Sequence, residues 1–176
     1  MLYQEFLIDK ITNCIEEKAT GRTYETTLLL VTQEEIKKVH KKDGWLFNWK
    51  TEYQQANHQV YKLLVAGSQQ IQGLISLEPI KSQQYIELHL IETAPHNFGS
   101  EKHFLGVPGN LVAFACKLSF ESGFDGFVAF NAKTKLIDHY IKTLGAQILY
   151  GNNRMGIFTK EAKILVNSYY ESYFDD

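Results

Sequence analysis

The sequence has few cysteines, few prolines and no marked excess of either charge. Its 176 residues include 2 cysteines and 3 prolines, and so few cysteines exclude the disulfide framework of a small secreted domain. The 18 basic residues nearly balance the 20 acidic ones, whereas nucleic-acid-binding proteins normally carry a basic excess. No apolar run is long enough to span a membrane. We therefore expect a cytoplasmic protein that binds neither nucleic acid nor membrane.

The length and apolar content predict one folded domain over residues 1–176. Hydrophobic residues make up 44% of the chain, which is enough for one core. Near the N-terminus, four apolar residues recur at helical spacing, and they predict an additional helix within residues 1–20. These residues are Leu7, Ile11, Cys14 and Ile15.

The rest of the chain predicts a mixed α/β fold. A β-rich run at 25–31 is followed by Thr32 and Glu35, whose spacing is that of a helix capping box. Three strands then follow closely, at 60–65, 71–77 and 85–91. In the last of them, alternation places Ile86, Leu88 and Leu90 on one face, and Tyr85, Glu87 and His89 on the other.

Helices and strands alternate after residue 106, which completes a mostly antiparallel sheet covered by helices. The predicted elements are a helix from about 110 to 122, a strand at 127–130, a helix at 133–144, a strand at 155–158 and a helix at 159–170. The aromatic segment 44–49 has two interpretations. Trp45 and Trp49 line a substrate cleft or form a hydrophobic lid over the core.

The loop His103–Leu111 is the most informative segment for function. It joins a strand to a helix, and the first N–H groups of a helix have no partner inside it. Those groups and the helix dipole favour an anion, and glycines such as Gly106 and Gly109 let a phosphate approach the backbone. A glycine-containing turn before a helix is also compatible with a plain turn and cap.

In its context the loop resembles the coenzyme A loop of the GNAT superfamily of N-acetyltransferases, which reads Gln/Arg-x-x-Gly-x-Gly/Ala before an apolar helix. His103 stands at the Gln/Arg position, Gly106 at the first glycine and Pro108 at the second. The second signature of the family, near Asn-x-x-Ala…Tyr-x-x-x-Gly-Phe, is similar to Asn131…Tyr140…Gly145-Ala146. The resemblance covers residues 60–158, the expected acetyl-coenzyme A-binding core.

The resemblance implies an acetyltransferase that moves an acetyl group directly from acetyl-coenzyme A, as co-substrate, to a primary amine of a small molecule or peptide. It implies Glu87 or Glu92 as the base that takes the amine proton, and Tyr140 as the acid toward the coenzyme thiolate. His89, on the same face as Glu87, has two interpretations, a further candidate base or a hydrogen-bonded structural histidine. The residues that it implies for coenzyme binding are Leu90, Ile91, His103, Leu105, Gly106, Val107, Gly109, Asn110, Leu111 and Asn131.

The sequence departs from the family pattern at three points. Pro108 has no N–H to donate to a pyrophosphate, the loop 95–103 is longer than usual, and Tyr140 lies one residue further from Gly145 than the family tyrosine. These departures favour an alternative of a different class, a non-catalytic domain of the same fold that binds acyl-coenzyme A or another protein. No compact set of His and Cys residues predicts a metal site. A homodimer stays open.

Overall fold

A computed structural model describes residues 3–9, 15–170 and 173–174. The strands are β1 (Ile15–Glu17), β2 (Thr23–Tyr24), β3 (Thr26–Leu30), β4 (Gln59–Val65), β5 (Ile71–Ile80), β6 (Tyr85–Thr93), β7 (Phe104–Leu105), β8 (Val128–Asn131), β9 (Gln147–Tyr150) and β10 (Arg154–Ile157). The helices are α1 (Gln33–Ile36), α2 (Trp49–Tyr53), α3 (Val107–Glu121), α4 (Ile137–Leu144) and α5 (Thr159–Tyr169). None of the helices described is long and apolar enough to cross a membrane.

A seven-stranded sheet forms the centre of the fold, in the order β3-β4-β5-β6-β8-β10-β9. All neighbours in it are antiparallel except β6 and β8, which are parallel. The prediction of a mixed, mostly antiparallel sheet flanked by helices is confirmed. The sequence interpretation missed β9, since all four of its residues are exposed and show no burial alternation.

One face of the sheet carries α3 and α5, and the other carries α1 and α2. Helix α3 approaches the sheet closely at Gly73, where a Cβ would lie 2.8 Å from Val107 Cγ1. A side chain at position 73 would therefore push away the first turn of α3. On the opposite face, Trp45 and Trp49 are buried in the smaller core cluster, as the lid interpretation expects.

A β-bulge at His89 divides β6 into two parts. Leu88 pairs with Leu77 and Leu90 pairs with Ser76, so His89 is the extra residue on β6. Because a bulge shifts the alternation of side chains, Leu88 belongs to the core cluster under α3, whereas Leu90 belongs to the cluster around Trp49. The predicted placement of Leu90 on the face of Leu88 was wrong for this reason.

The predicted N-terminal helix is not formed in the described part of residues 1–20. Residues 3–9 are not helical, and Ile15–Glu17 is a strand, whereas Ile11 and Cys14 lie outside the described residues. Burial alternates along the first segment, since Phe6 and Ile8 are buried and Leu7 is 58% exposed. The apolar period is therefore two, as in an extended chain. Strand β1 pairs with β2 and with β7 in a separate three-stranded sheet.

Candidate functional site

Strands β6 and β8 are paired at only two positions and then separate. The paired positions are Ile86 with Val128 and Glu87 with Ala129, so the separation begins just before the bulge at His89. We call the space between the separated strands the slot. It leads from His89 and Asn131 towards the first turn of α3. Residues 4–9 lie in it.

The N-terminal end of this segment is held as a short added strand. The Gln4 backbone N–H donates to the Asn131 carbonyl at 2.6 Å and its carbonyl accepts from Lys133 N–H at 3.0 Å. On the other wall of the slot, Gln4 Nε2 donates to the His89 carbonyl at 2.8 Å. Lys133 and Lys135 also hydrogen-bond the exposed Glu5 carboxylate, and they lower its pKa to about 2. Gln4 therefore bridges the two strands where they part.

The middle of the segment packs on Tyr140. The Phe6 ring stacks on the Tyr140 ring with centroids 4.7 Å apart, and the Tyr140 hydroxyl donates to the Phe6 carbonyl at 2.7 Å. Tyr140 is fully buried, and burial raises the pKa of its hydroxyl. Further along, the Ile8 N–H donates to His139 Nε2 at 2.9 Å. The predicted acid Tyr140 thus faces the slot, with its hydroxyl bonded to the segment.

At the other end of the slot, a carboxylate binds the predicted anion loop. Gly106 is the N-cap of α3 with φ of 91°, a left-handed conformation that favours glycine. Its N–H donates to Asp9 Oδ1 at 3.0 Å, and Asp9 also pairs with Lys102 at 2.9 Å. The loop was expected to open onto a cleft. In the structure its Gly106 N–H instead binds an anion that the chain itself supplies.

The first turn of α3 retains further hydrogen-bonding groups. The helix offers no acceptor to the N–H groups of Val107 and Gly109, and Pro108 has no N–H to offer. Asn110 is buried, and its Oδ1 accepts from Thr26 Oγ1 of β3 at 3.3 Å, so its side chain lies on the side of β3. The main-chain N–H groups of Val107 and Gly109 therefore fit an additional polar ligand at this end of the slot.

The remaining residues implied for coenzyme binding are dispersed. Leu90 and Ile91 lie on β6 beyond the bulge, in different core clusters. Leu105 belongs to β7 and pairs with β1, while Leu111 is buried in α3. The carbonyl of His103, which precedes β7, accepts from Lys18 N–H at 2.8 Å. The small sheet therefore covers the flank of the loop where His103 was expected to meet a phosphate.

Glu87, one of the two predicted bases, forms a two-pronged ion pair with Arg154. Arg154 Nη1 donates to Glu87 Oε2 at 2.8 Å and Nη2 donates to the other carboxylate oxygen. The hydrogen bond to Glu87 raises the pKa of the Arg154 guanidinium. Arg154 Nη1 also donates to Asn131 Oδ1 at 3.3 Å. Glu87 thus ties β6 to β10 across β8, beside the entrance to the slot.

Glu92, the other predicted base, is buried and accepts three hydrogen bonds. The donors are Leu46 N–H at 2.6 Å, Phe47 N–H at 3.3 Å and Trp49 Nε1 at 2.8 Å. Since both oxygens are engaged, the carboxylate anchors the segment before α2 to the sheet. From the sequence, the alternatives to a catalytic Glu92 were a surface carboxylate or an anchor for a loop, and the structure shows the anchor.

The structure brings together two histidines and two glutamates on the α2 face of the sheet, and of these the sequence interpretation had named His89 alone. His89 Nε2 lies 2.8 Å from Glu78 Oε1, and His58 Nδ1 lies 2.7 Å from Glu52 Oε1. The two imidazole rings stack with centroids 3.7 Å apart and an interplanar angle of 15°. Ser76 Oγ donates to Glu52 Oε1 at 2.6 Å.

This cluster, which we call the histidine pair with its glutamates, borders a cavity of about 710 Å³. The cavity wall includes His58, His89, Glu52, Glu87 and Asn131. One nitrogen or oxygen atom each from His58, Glu78 and His89, of the kinds that bind metal ions, lie within 4.8 Å of one another. An imidazole nitrogen binds a metal ion in the plane of its ring, and two nearly parallel stacked rings do not share such a plane, however. The observed geometry therefore fits hydrogen bonding between the histidines and glutamates rather than a metal site. Only the exposed alternation of His89 on its strand pointed to this site from the sequence.

No model of a known protein family matches the sequence, and no curated protein matches it by sequence. Solved structures do match its fold. A chain of the AtaT–AtaR complex bound to DNA has a TM-score of 0.58 at 18% identity and covers 79% of this chain and 98% of its own. Spermidine/spermine N-acetyltransferase SpeG from Vibrio cholerae has a TM-score of 0.56 at 15% identity, covering 80% and 98%.

A third match is the Bacillus subtilis acetyltransferase in complex with CoA, with a TM-score of 0.52, 16% identity and coverage of 77% and 99%. At identities this low, the matches show a shared fold. The chain has the fold of the GNAT N-acetyltransferases, which is the fold that the sequence resemblance implied.

Proposed function

We propose that this protein is an N-acetyltransferase that uses acetyl-coenzyme A and acts on a primary amine. The observation that supports this most is the slot between β6 and β8, which ends at the left-handed Gly106 and the first turn of α3. An extended segment of six residues spans about 20 Å. The slot therefore has room for a long, amide-containing chain that ends in an anionic group.

The contacts made by residues 4–9 indicate how such a ligand would be held. The carbonyl groups of His89 and Asn131 accept hydrogen bonds from Gln4, and amide groups of a pantetheine arm would serve as similar donors. At the far end, Gly106 N–H binds the carboxylate of Asp9, which stands in for an anion such as a pyrophosphate. Residues 4–9 have to leave the slot before a coenzyme enters.

Departure of the segment would also free a candidate catalytic group. The Tyr140 hydroxyl now donates to the Phe6 carbonyl, and without that partner it would face the slot as a proton donor to a leaving thiolate. The acceptor would reach the reaction from the cavity beside His89, which lies at the Gln4 end of the slot. Because SpeG is a spermidine N-acetyltransferase, spermidine is the first acceptor to test, followed by monoamines and peptides.

A second function is favoured by the segment in the slot itself. If residues 4–9 bind permanently, the chain is a non-catalytic domain in which an internal peptide replaces the coenzyme. The two functions differ in one property. Acetyl-coenzyme A binds to a transferase and stabilises it by mass action, whereas it does not bind to the permanently closed domain.

Calorimetric titration with acetyl-coenzyme A and a thiol-release assay with spermidine test the proposal together. We expect binding and turnover in the wild type, and loss of both in Gly106→Asp because a carboxylate would occupy and repel the anion site. Gly67→Asp is the matched control, since Gly67 has φ of +82° and open space around it. Equal affinity of the two variants for acetyl-coenzyme A would refute the assignment of the slot.

A further inference from the structure

Both predicted bases have their carboxylate oxygens engaged by N–H donors, whereas each ring of the histidine pair is hydrogen-bonded to a glutamate through one of its two nitrogens. Glu87 is bound by Arg154, and Glu92 accepts hydrogen bonds from three N–H groups. We propose that His58 and His89, backed by Glu52 and Glu78, bind the acceptor amine and take its proton. This inference rests on the proposed acetyl transfer and names the group that prepares the acceptor for it.

Each glutamate fixes one nitrogen of its histidine. Glu78 accepts from His89 Nε2–H, which leaves His89 Nδ1 with the lone pair. Glu52 accepts from His58 Nδ1–H, and His58 Nε2 lies 3.7 Å from Glu78 Oε1. Glu52 is itself held by Ser76. Imidazole is the side chain whose charge ordinarily changes near neutral pH. A carboxylate that accepts from one ring nitrogen fixes the tautomer and the orientation of the ring, as the aspartate does in a Ser-His-Asp triad.

The position of His89 connects the pair to the slot. Because His89 is the bulged residue of β6, its carbonyl bonds Gln4 in the slot while its ring borders the cavity on the α2 face. Tyr3 lines the same cavity, so the cavity adjoins the Gln4 end of the slot. Asp9 and Gly106 mark the opposite, anion-binding end. An acyl group carried at the Gln4 end would therefore meet an amine held beside His89.

The charges around the pair favour a cationic acceptor. Glu52 and Glu78 face the imidazoles, and each has a single oxygen engaged by the described side chains. The third carboxylate, Glu87, is neutralised by Arg154. The other titratable groups on the cavity wall are the phenols Tyr3 and Tyr150. The two carboxylates place negative charge beside the rings, and an alkylammonium group would offset it.

In the proposed step, an N–H proton of the ammonium group passes to an imidazole nitrogen. The amine lone pair then forms a C–N bond to the acetyl carbonyl carbon, and the C–S bond breaks with its electrons remaining on sulfur. A second N–H proton is lost from nitrogen and one proton is gained by the thiolate, so the products are the acetamide and free thiol. The imidazolium returns its proton to solvent.

The test uses His89→Gln and His58→Gln, which keep a hydrogen-bonding side chain that cannot take a proton. We expect turnover with spermidine to fall about 100-fold or more in at least one of them, with affinity for acetyl-coenzyme A within twofold of the wild type. The defect should shrink with 2,2,2-trifluoroethylamine, which is uncharged at neutral pH and needs no proton removed before attack. His40→Gln is the matched control because His40 bonds Lys50 away from the cavity.

A second readout needs no turnover. Ring ¹⁵N NMR signals of His58 and His89 should shift when spermidine is added to the coenzyme-free protein, while that of His40 should not. Unshifted rings would overturn the amine site. Equal losses with spermidine and trifluoroethylamine, or wild-type turnover in both variants, would overturn the proton transfer. A wild type that fails to bind acetyl-coenzyme A but shifts both rings would refute the proposed function and retain the amine site.

Discussion

Substitution of Asp9 should raise the affinity of the protein for acetyl-coenzyme A. The Asp9 carboxylate accepts from Gly106 N–H at 3.0 Å and pairs with Lys102 at 2.9 Å. A hydrogen bond to a charged group contributes about 1.5–3 kcal/mol, and a partly exposed ion pair adds less than about 1 kcal/mol. Asp9→Ala should therefore weaken the binding of residues 4–9 to the slot by about 2 kcal/mol.

That change in free energy corresponds to about a 30-fold shift between the docked and undocked segment. The apparent dissociation constant of a ligand is its intrinsic value divided by the fraction of protein that is competent to bind. If the docked form predominates, acetyl-coenzyme A should bind Asp9→Ala up to about 30-fold more tightly than wild type. Asp9→Asn should fall between them because it keeps an oxygen acceptor but loses the charge.

Isothermal titration calorimetry at one ionic strength measures the three affinities. Asp43→Ala is the matched control, since Asp43 is exposed in the short turn that follows α1 in the chain. Tighter binding confined to the Asp9 variants would support displacement of residues 4–9 by the coenzyme. Unchanged or weaker binding in Asp9→Ala would refute the reasoning, because it would mean that the segment and the coenzyme do not compete.

Two further predictions concern Glu92 and the pH dependence of the segment. Glu92→Gln should leave a buried N–H unsatisfied and so cost about 2–3 kcal/mol of stability, which lowers Tm by about 5–10 °C, while turnover per folded molecule stays nearly unchanged. Glu34→Gln, at an exposed carboxylate, is the control. Lost turnover at an unchanged Tm would instead make Glu92 a base. Burial lowers the pKa of His139, and its neutral Nε2 accepts from Ile8 N–H. Binding of residues 4–9 to the slot should therefore be complete above the ordinary histidine pKa, and it should be lost as the pH falls through the lowered pKa of His139. Aminopeptidase digestion should be faster at pH 5 than at pH 7.5, and an identical pH dependence in His139→Gln would contradict this cause.

The elements of the central sheet followed from local pattern. Alternating apolar residues predicted the three consecutive strands that became β4, β5 and β6, and the capping box at Thr32 predicted α1, where both of its hydrogen bonds are present. The loop before α3 was also recognised from neighbouring residues, because Gly106 adopts a left-handed conformation that few other residues adopt. These features depend on residues close together in the chain.

The sequence interpretation failed in two places. At one, a single extra residue changes the alternation of apolar side chains along a strand. At the other, the apolar residues of a short segment fit both a helical and an extended period. The bulge at His89 moved Leu90 to the other core cluster, and nothing in the sequence of β6 signals an extra residue. Near the N-terminus, Leu7 belonged to a helical pattern with Ile11, but Phe6 and Ile8 fit an extended one. The sheet decided between them, because the edges of β8 and β6 offered backbone partners to Gln4.

The sequence by itself thus determined the strands β4, β5 and β6, the helices α1 and α3 to α5, and the loop that begins α3. Only the tertiary structure decided what surrounds that loop and which acidic groups are engaged. Asp9 and Gly106 are 97 positions apart in the chain, and the glutamates of the histidine pair come from α2 and β5. Hydrogen bonds between such distant groups depend on the register of strands and the path of loops. Local propensity does not encode either of these.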